Sequence, residues 1–202
     1  MTQYPIAIDL QHGMQEQEEH DLSVYVGICV SGERTKRHLL KAQRSLADTA
    51  QRTAQEQLGT IPAPSYSRTH CRGIAAAMLS KNIIPLGIDI EYADPRRNWP
   101  EILSVFCDNI ALSGYSIHAL NRGWTYLEAY YKAFAQYPPA KDVIAVIDHQ
   151  FPDNEIYQNA DGYLCLHRSI ETVFYMTLIW KPTRENKAMS QPSILPILYS
   201  DI

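Results

Sequence analysis

Two carboxylates in a short apolar segment are the first sign of chemistry in this sequence. Residues Gly87 to Glu91 read Gly-Ile-Asp-Ile-Glu. Side chains alternate across a β-strand, so Asp89 and Glu91 would share one face while Ile88 and Ile90 point into a core. Two carboxylates on one face repel each other unless a cation lies between them, and oxygen ligands favour Mg²⁺. The spacing predicts a magnesium site, although two solvated acids at a strand end would explain it equally well.

A second candidate group lies on a predicted helix. Trp124, Glu128 and Lys132 are spaced four residues apart and therefore share one helical face. Glu128 is a candidate third oxygen ligand beside Asp89 and Glu91, and Lys132 would then neutralise a phosphate. The simpler alternative is a surface ion pair between Glu128 and Lys132, which would contribute only about 0.2–0.5 kcal/mol.

The hydrophobic pattern predicts an α+β protein in which helices pack on small antiparallel sheets. Gly59 marks the end of a long amphipathic helix, because glycine suits the position after a helix C-terminus. The segment 183–202 has scattered prolines and polar residues, and we expect a loosely ordered tail there. The predicted elements are strands at 22–30, 74–79, 83–91, 143–147, 162–167 and 172–180, and helices at 34–58, 101–112 and 123–136.

Composition excludes several classes of protein. The chain has 202 residues and a formal net charge of −4, which does not favour broad binding to nucleic acid. Its four cysteines form no Cys-x-x-Cys pair and match no zinc pattern. The first residues lack the features of a signal peptide, and no stretch reaches the ~20 apolar residues of a membrane span. We expect a reduced, soluble, cytoplasmic protein that binds neither nucleic acid nor membranes.

Taken together, these motifs resemble the 4′-phosphopantetheinyl transferase superfamily, especially its larger pseudo-dimeric type. That family carries a Gly-Ile-Asp-x-Glu strand, matched here by residues 87–91, and later Trp-x-x-Lys-Glu-x-x-x-Lys-Ala, matched by residues 124–133. Where the family has a Ser-His-Ser-like turn, this chain has Thr69-His70-Cys71. Order and spacing agree across residues 65–135.

The resemblance implies a fold of two similar α/β lobes related by a pseudo-twofold axis, with coenzyme A in the cleft between them. We assign residues 1–85 to the N-terminal lobe and 86–182 to the C-terminal lobe. The resemblance also implies a reaction in which a serine of an acyl or peptidyl carrier protein attacks the β-phosphate of coenzyme A. The phosphopantetheine arm is transferred and 3′,5′-ADP leaves.

The resemblance further implies roles for individual residues. Glu128 would be both a metal ligand and the base that deprotonates the serine, directly or through a water. Lys132 and His70 would contact phosphates and take part in catalysis. The implied Mg²⁺ ligands are Asp89, Glu91 and Glu128, and the implied coenzyme A contacts are His70, Lys132, Arg37, Arg44 and Arg72.

This chain departs from the family pattern in several places, among them Cys71 for a hydroxyl residue, Arg72 for a frequent glycine, and Ala135 for the glycine that follows Lys-Ala. Leu127 stands where the family usually has a phosphate-binding lysine, and residues 59–68 are short; Arg68, Arg72 and Lys81 are candidates to replace the missing charge. One alternative is therefore a non-catalytic family member that binds a carrier protein or a nucleotide. Another is an unrelated Mg²⁺-dependent phosphohydrolase, which would have no need of the motif that begins at Trp124. The intact acids and Lys132 favour the enzyme.

Overall fold

The computed structural model describes residues 24–31, 39–59, 63–107, 111–148, 150–170, 172–182, 193–194 and 198–200. It is a mixed α+β structure with two sheets and four α-helices in this part of the chain. In chain order the elements are β1 (Val24–Ser31), α1 (Leu39–Leu58), β2 (Ser65–Cys71), β3 (Ile74–Ser80), β4 (Leu86–Tyr92), α2 (Trp99–Ser104), α3 (Ile117–Phe134), α4 (Ala140–Ile147), β5 (Ile156–Gln158), β6 (Leu164–Ile170), β7 (Phe174–Trp180), β8 (Ser193–Ile194) and β9 (Leu198–Ser200). The α+β class predicted from the sequence is confirmed.

The two sheets share one order of strands. In the first sheet β3 lies between β1 and β2 and runs antiparallel to both. In the second sheet β7 lies between β4 and β6 in the same way, and β5 extends the far edge. Each sheet thus contains a central unit of a strand, one or more helices and two further strands, in which the last strand lies in the middle.

The described elements form successive layers, which the period-two pattern of the strands explains. On β3, Ile74, Ala76 and Met78 pack between the sheets, whereas the alternate alanines and Leu79 pack against α1. On β4, Ile88 and Ile90 enter the core between the sheets. The outer face of the second sheet packs against α3 and α4. Asp89 belongs to that outer face and so lies on the side of β4 that α3 covers.

Several predicted elements need correction. Residues 143–147 form the end of helix α4 rather than a strand, because Val143, Val146 and Ile147 are buried at helical spacing in the cluster that contains α3. Tertiary packing here overrides the β-propensity of valine and isoleucine. Helix α2 begins at Trp99, since Pro100 suits a first helical turn, and it ends at Ser104 rather than at residue 112.

Differences also occur around the motif of Thr69, His70 and Cys71 and in the tail. These three residues end strand β2 rather than forming a turn, and the chain turns at Arg72 and Gly73, which have φ values of 43° and 84°. In the tail, β8 and β9 pair in parallel with β1. Arg37 and the N-terminal residues of the predicted helix lie outside the described part of the chain.

Helix α3 is longer than predicted and lies very close to β4. It begins at Ile117, where the Ser116 hydroxyl accepts a hydrogen bond from the Ala119 amide, and ends at Phe134. A Cβ added at Gly87 would overlap the carbonyl oxygen of Ala129 and lie 2.9 Å from the backbone nitrogen of Ala133. Only glycine therefore permits this approach. Among the described helices, none combines the length and the apolar character that a membrane crossing requires.

Replacing Gly87 by alanine should therefore destabilise the fold. The added methyl group would meet helix backbone, which cannot move aside as a side chain can, so we expect a loss of about 3 kcal/mol in the free energy of unfolding. Gly114→Ala is a matched control, because a Cβ there would have no described atom within 4 Å. Urea unfolding of both variants checks the prediction, and equal stability of the two would contradict it.

Candidate functional site

Asp89 is the centre of the candidate site. The residue is only 5 % exposed. Its Oδ1 atom accepts hydrogen bonds from the Lys132 ammonium group at 2.7 Å and from the Thr69 hydroxyl at 3.0 Å. Its Oδ2 atom is buried and has no hydrogen-bond partner among the described residues. A buried carboxylate oxygen without a partner is costly, so this atom is suited to a ligand that supplies positive charge.

The close approach of α3 places Lys132 on this carboxylate. Besides Asp89, the Lys132 ammonium donates a hydrogen bond to the Ile88 carbonyl at 3.0 Å. Its side chain is 28 % exposed, so the ammonium group remains accessible to a ligand. The sequence predicted that Lys132 and Asp89 belong to one site, and the structure brings them together directly. Lys132 therefore forms its ion pair with Asp89, and not the surface pair with Glu128 that was the simpler alternative.

A row of hydroxyl groups joins the two sheets beside this site. Ser65, Ser67 and Thr69 alternate along β2, and their hydroxyl oxygens accept hydrogen bonds from the backbone amides of Ile84, Ile88 and Ile90. These distances are 3.1, 3.2 and 3.2 Å. Ile84 lies just before β4, and the other two amides lie on the edge of β4 that pairs with no described strand of its own sheet. Thr69 therefore both holds the sheets together and orients Asp89.

Glu91 occupies the same face of β4, two residues further on. The Cys71 thiol lies 3.4 Å from its carboxylate and Arg97 lies 3.5 Å from it. Burial and the nearby charge of Asp89 raise the pKa of Glu91. Burial and the charge of Glu91 in turn raise the pKa of the Cys71 thiol to about 12. Cys71 is therefore a neutral thiol at physiological pH and a hydrogen-bond donor to Glu91, not a nucleophile.

Glu128 lies one helical turn before Lys132 on α3 and is half-buried. Burial raises its pKa, and the charge of Asp89 raises it further. The pKa of both glutamates thus responds to Asp89, which places all three carboxylates in one electrostatic neighbourhood. Within the described residues, however, no group of three histidine, cysteine, aspartate or glutamate side chains is already arranged to hold a metal ion.

An open cleft of about 550 Å³ connects Asp89 to the first sheet. It contains four basic side chains together with two acids, so its described lining is strongly polar and suited to an anionic ligand that also carries a cation. The lining residues are Arg44, Ala47, Asp48, Arg68, Thr69, His70, Asp89 and Lys132. Of the predicted coenzyme A contacts, Arg44, His70 and Lys132 line this cleft, whereas Arg37 lies outside the described residues.

Two predicted positions lie elsewhere. The Arg72 guanidinium donates to Asp94 and stacks over the Tyr92 ring, 4.2 Å from its centroid, and Arg72 is not among the described residues lining the cleft. The hydrogen bond from Arg96 is the main cause that lowers the pKa of Asp94, and Arg72 adds to it. Leu127 is fully buried in the core around α3. A lysine there would begin inside the apolar core and not in the lining of the cleft.

Sequence reasoning missed the structural part that β2 plays. It did not identify Asp48 or the two serines of the hydroxyl row. The signal was present, because Ser65, Ser67 and Thr69 recur with a period of two beside apolar strands. Such a hydroxyl stripe predicts hydrogen bonding along one face of a strand, but the sequence does not say which amides it meets.

Thr69→Val should disturb the site and the junction of the sheets together. Valine has nearly the same shape but cannot accept from the Ile90 amide or donate to Asp89, and we expect a loss of about 1–3 kcal/mol in the free energy of unfolding. Thr69→Ser keeps the hydroxyl, and its loss in the free energy of unfolding should be less than half of the loss in the Val variant. Urea unfolding measures both variants, and a Val variant as stable as the Ser variant would exclude this role for the hydroxyl.

Comparison with known proteins adds no relative from which a role could be transferred. No protein-family model matches the chain, and no curated protein matches it either.

Proposed function

We propose that this protein transfers the 4′-phosphopantetheine arm of coenzyme A to a serine of an acyl or peptidyl carrier protein, with Mg²⁺ as cofactor. The observation that carries the proposal is the cleft around Asp89. Asp89, whose Oδ2 atom is buried and has no partner among the described residues, lines the same cleft as Lys132, His70 and Arg44. A ligand with both phosphates and a divalent cation fits this combination of charges.

The available donors fit magnesium. Asp89 offers Oδ2, since Lys132 and Thr69 both bind Oδ1. Glu91 and Glu128 offer further carboxylate oxygens, and Mg²⁺ prefers oxygen ligands shared with water and substrate phosphates. When bound, the ion would supply neutralisation of the charge that develops on the phosphoryl oxygens. Asp89, Glu91 and Glu128 would hold it.

Glu128 is the residue best suited to accept the serine proton. In the proposed reaction the serine oxygen bonds to the β-phosphorus of coenzyme A, and the bond from that phosphorus to the bridging oxygen breaks. The product 3′,5′-ADP leaves with that oxygen, and the proton passes from the serine to Glu128, directly or through a water. The raised pKa of Glu128 supports this role, because it makes the carboxylate a stronger base than an ordinary glutamate.

Lys132 and His70 would position the phosphates. Lys132 already bonds to a carboxylate oxygen in the cleft, so a phosphate oxygen would be a comparable acceptor for its ammonium. His70 is exposed at the end of β2 and lines the same cleft, where its ring nitrogens can meet a second oxygen. Alignment and charge neutralisation are the main requirements of phosphoryl transfer, and these side chains are of the right kind.

The proposal includes two lobes related by a pseudo-twofold axis, with residues 1–85 and 86–182 as their main parts. The shared strand order of the two sheets supports this arrangement. The cleft is lined from α1 and β2 on one side and from β4 and α3 on the other, as a ligand between lobes would require. Within the described residues, Cys71, Cys107 and Cys165 form no disulfide bond, which suits a reaction in the reducing cytoplasm.

One alternative function has an observation in its favour. Lys132 pairs with Asp89, and Leu127 is buried where the family usually has a phosphate-binding lysine. A non-catalytic protein that binds a carrier protein or a nucleotide could have these features. The two possibilities differ in transfer activity, which can be measured directly.

Glu128→Gln should abolish transfer without changing the fold. Glutamine keeps the shape and one oxygen but cannot accept the proton, so we expect a fall of about 10²–10⁴-fold in the rate. Asp89→Asn should also reduce the rate of transfer severely, and a high concentration of Mg²⁺ should restore part of that rate. Glu155→Gln is the control, because Glu155 is exposed and lies just before β5, away from β4 and α3, which carry the proposed ligands. Fluorescent coenzyme A, Mg²⁺ and a panel of apo-carrier proteins provide the in-gel assay. Binding of coenzyme A by the parent without transfer to any carrier would favour the alternative.

Mg²⁺ should stabilise the protein more at alkaline than at acidic pH. The pKa values of Glu91 and Glu128 are raised above the usual 4.5. The two protonated side chains therefore contribute to stability below pH 4.5, and this contribution is lost as the pH rises through their raised pKa values. A cation held by the ionised carboxylates would offset this loss. Melting temperatures at about pH 5 and about pH 8, with Mg²⁺ or Na⁺ at equal ionic strength, test it. An Mg²⁺ effect of equal size at both pH values, or one that persists in the Glu128→Gln variant, would argue against these ligands.

A further inference from the structure

A row of buried polar side chains crosses the second sheet beneath helix α3. His167 on β6 and Asp89 on β4 both lie directly opposite Thr177 on β7, so the three side chains project from the same face of the sheet. Thr177 and Thr125 of α3 are fully buried, and His167 is 1 % exposed. Polar groups so deep between a helix and a sheet are costly unless each has a partner.

Hydrogen bonds join these side chains into one continuous series, which we call the buried polar chain. The Thr125 hydroxyl donates to the Arg122 carbonyl of its own helix at 3.0 Å and lies 2.9 Å from the Thr177 hydroxyl. Thr177 in turn lies 2.9 Å from His167 Nδ1. The other ring nitrogen, Nε2, lies 3.1 Å from the Tyr157 hydroxyl. The buried polar chain therefore ties strands β5, β6 and β7 to helix α3.

The direction of the hydrogen bonds in this chain follows from its first member. A hydroxyl has one proton, and Thr125 gives that proton to the Arg122 carbonyl, so Thr125 accepts from Thr177. Thr177 has then used its own proton and must accept from His167, which requires a proton on Nδ1. The chain ends at a carbonyl oxygen, which cannot pass a proton on. It therefore cannot relay protons along α3, and its effect must be on position.

The buried polar chain meets α3 beside the proposed catalytic carboxylates. Thr177 lies opposite Asp89, and Thr125 lies three residues before Glu128 on the same helical face. Sliding or rotating α3 on the sheet would separate the two threonines and leave buried polar groups unsatisfied. The contact at Gly87 fixes how closely α3 approaches β4, whereas the pair of threonines fixes where along the sheet the helix lies.

We propose, resting on the function proposed above, that Thr125 and Thr177, oriented by the Nδ1 proton of His167, are positioning residues that hold Glu128 and Lys132 in place for the transfer step. They act through α3 and not on the substrate. A displacement of about 1 Å can lower a rate about 10²-fold, so the step is sensitive to the register of the helix. Most of the described cleft lining comes from α1 and β2, so binding of coenzyme A depends less on that register.

Thr177→Val tests the proposal, because valine keeps the shape of threonine and removes the hydroxyl. We expect kcat for transfer to fall about 10–100-fold, while the KM for coenzyme A changes by less than about twofold. Thr177→Ser keeps the hydroxyl and should retain most of kcat. Adding Thr125→Val to Thr177→Val should lower kcat little further, since the two residues act as one unit.

Thr53→Val is the matched control. Its hydroxyl also donates to a carbonyl of its own helix, that of Thr49, at 3.1 Å, and the helix is α1 rather than α3. This variant should keep the kcat of the parent. All rates are measured well below the melting temperature of each variant, so that a loss of stability alone does not change them.

Two NMR measurements on the protein without substrate complete the test. Long-range correlations between ¹H and ¹⁵N in the imidazole ring should show a proton on His167 Nδ1 at neutral pH, a position that coordinates alone assign only by inference. The Lys132 ammonium donates to Asp89 at 2.7 Å and should give a protected signal in the parent. That signal should be lost in Thr177→Val and retained in Thr177→Ser.

The outcomes separate this assignment from the proposed function. An unprotonated Nδ1 on His167, a Thr177→Val variant with the kcat of the parent, or a Ser variant as slow as the Val variant would each overturn it. A fall in kcat that Thr53→Val shares would do the same. If the parent transfers nothing to any apo-carrier protein but the Lys132 signal disappears in Thr177→Val and persists in Thr177→Ser, the proposed function fails and the positioning of α3 stands. Any other pattern of that signal overturns the positioning as well.

Discussion

The close contact between helix α3 and strand β4 at Gly87 is the constraint on which the candidate site depends. Without a side chain at Gly87, the backbone of α3 rests on the strand at Ala129 and Ala133. Lys132 then lies near enough to donate to the Ile88 carbonyl and to Asp89. A larger residue would lift the helix from the strand and separate these charges. The glycine therefore fixes the distance between a cation and a carboxylate that are 43 residues apart in the sequence.

The hydroxyl row on β2 extends this constraint to the other sheet. An edge strand normally leaves amides exposed to solvent or to another chain. Here side-chain hydroxyls of one sheet satisfy amides of the other, and the last of them, on Thr69, also binds Asp89. The packing of the sheets and the orientation of the site carboxylate are consequently one arrangement. Relative movement of the sheets would break hydrogen bonds to buried amides, which makes the cleft between α1 and α3 a defined space.

The local geometry of the site was predictable, but much of its context was not. Alternation placed Asp89 and Glu91 on one face and Ile88 and Ile90 in the core, and the structure has them so, because this signal depends only on strand geometry. Residues 143–147 were assigned wrongly because their conformation depends on packing against α3. The pairing of β8 and β9 with β1 has no local signal, since it joins segments that are distant in the sequence. Leu127 stands where the resemblance leads one to expect a lysine, and only the packing around α3 shows that its side chain is internal.

The charges of the site are arranged so that binding can exchange partners rather than create new buried charge. Asp89 is compensated by Lys132, Glu91 by Arg97, and Asp48 by Arg68. In the proposed function, a divalent cation would take over the compensation of the carboxylates, and the phosphates would take over that of Lys132 and Arg68. Each buried or half-buried charge then keeps an opposite charge beside it before and after binding, which limits the cost of desolvation. The same reasoning explains why cation and phosphate would bind together: either alone would leave one set of charges uncompensated.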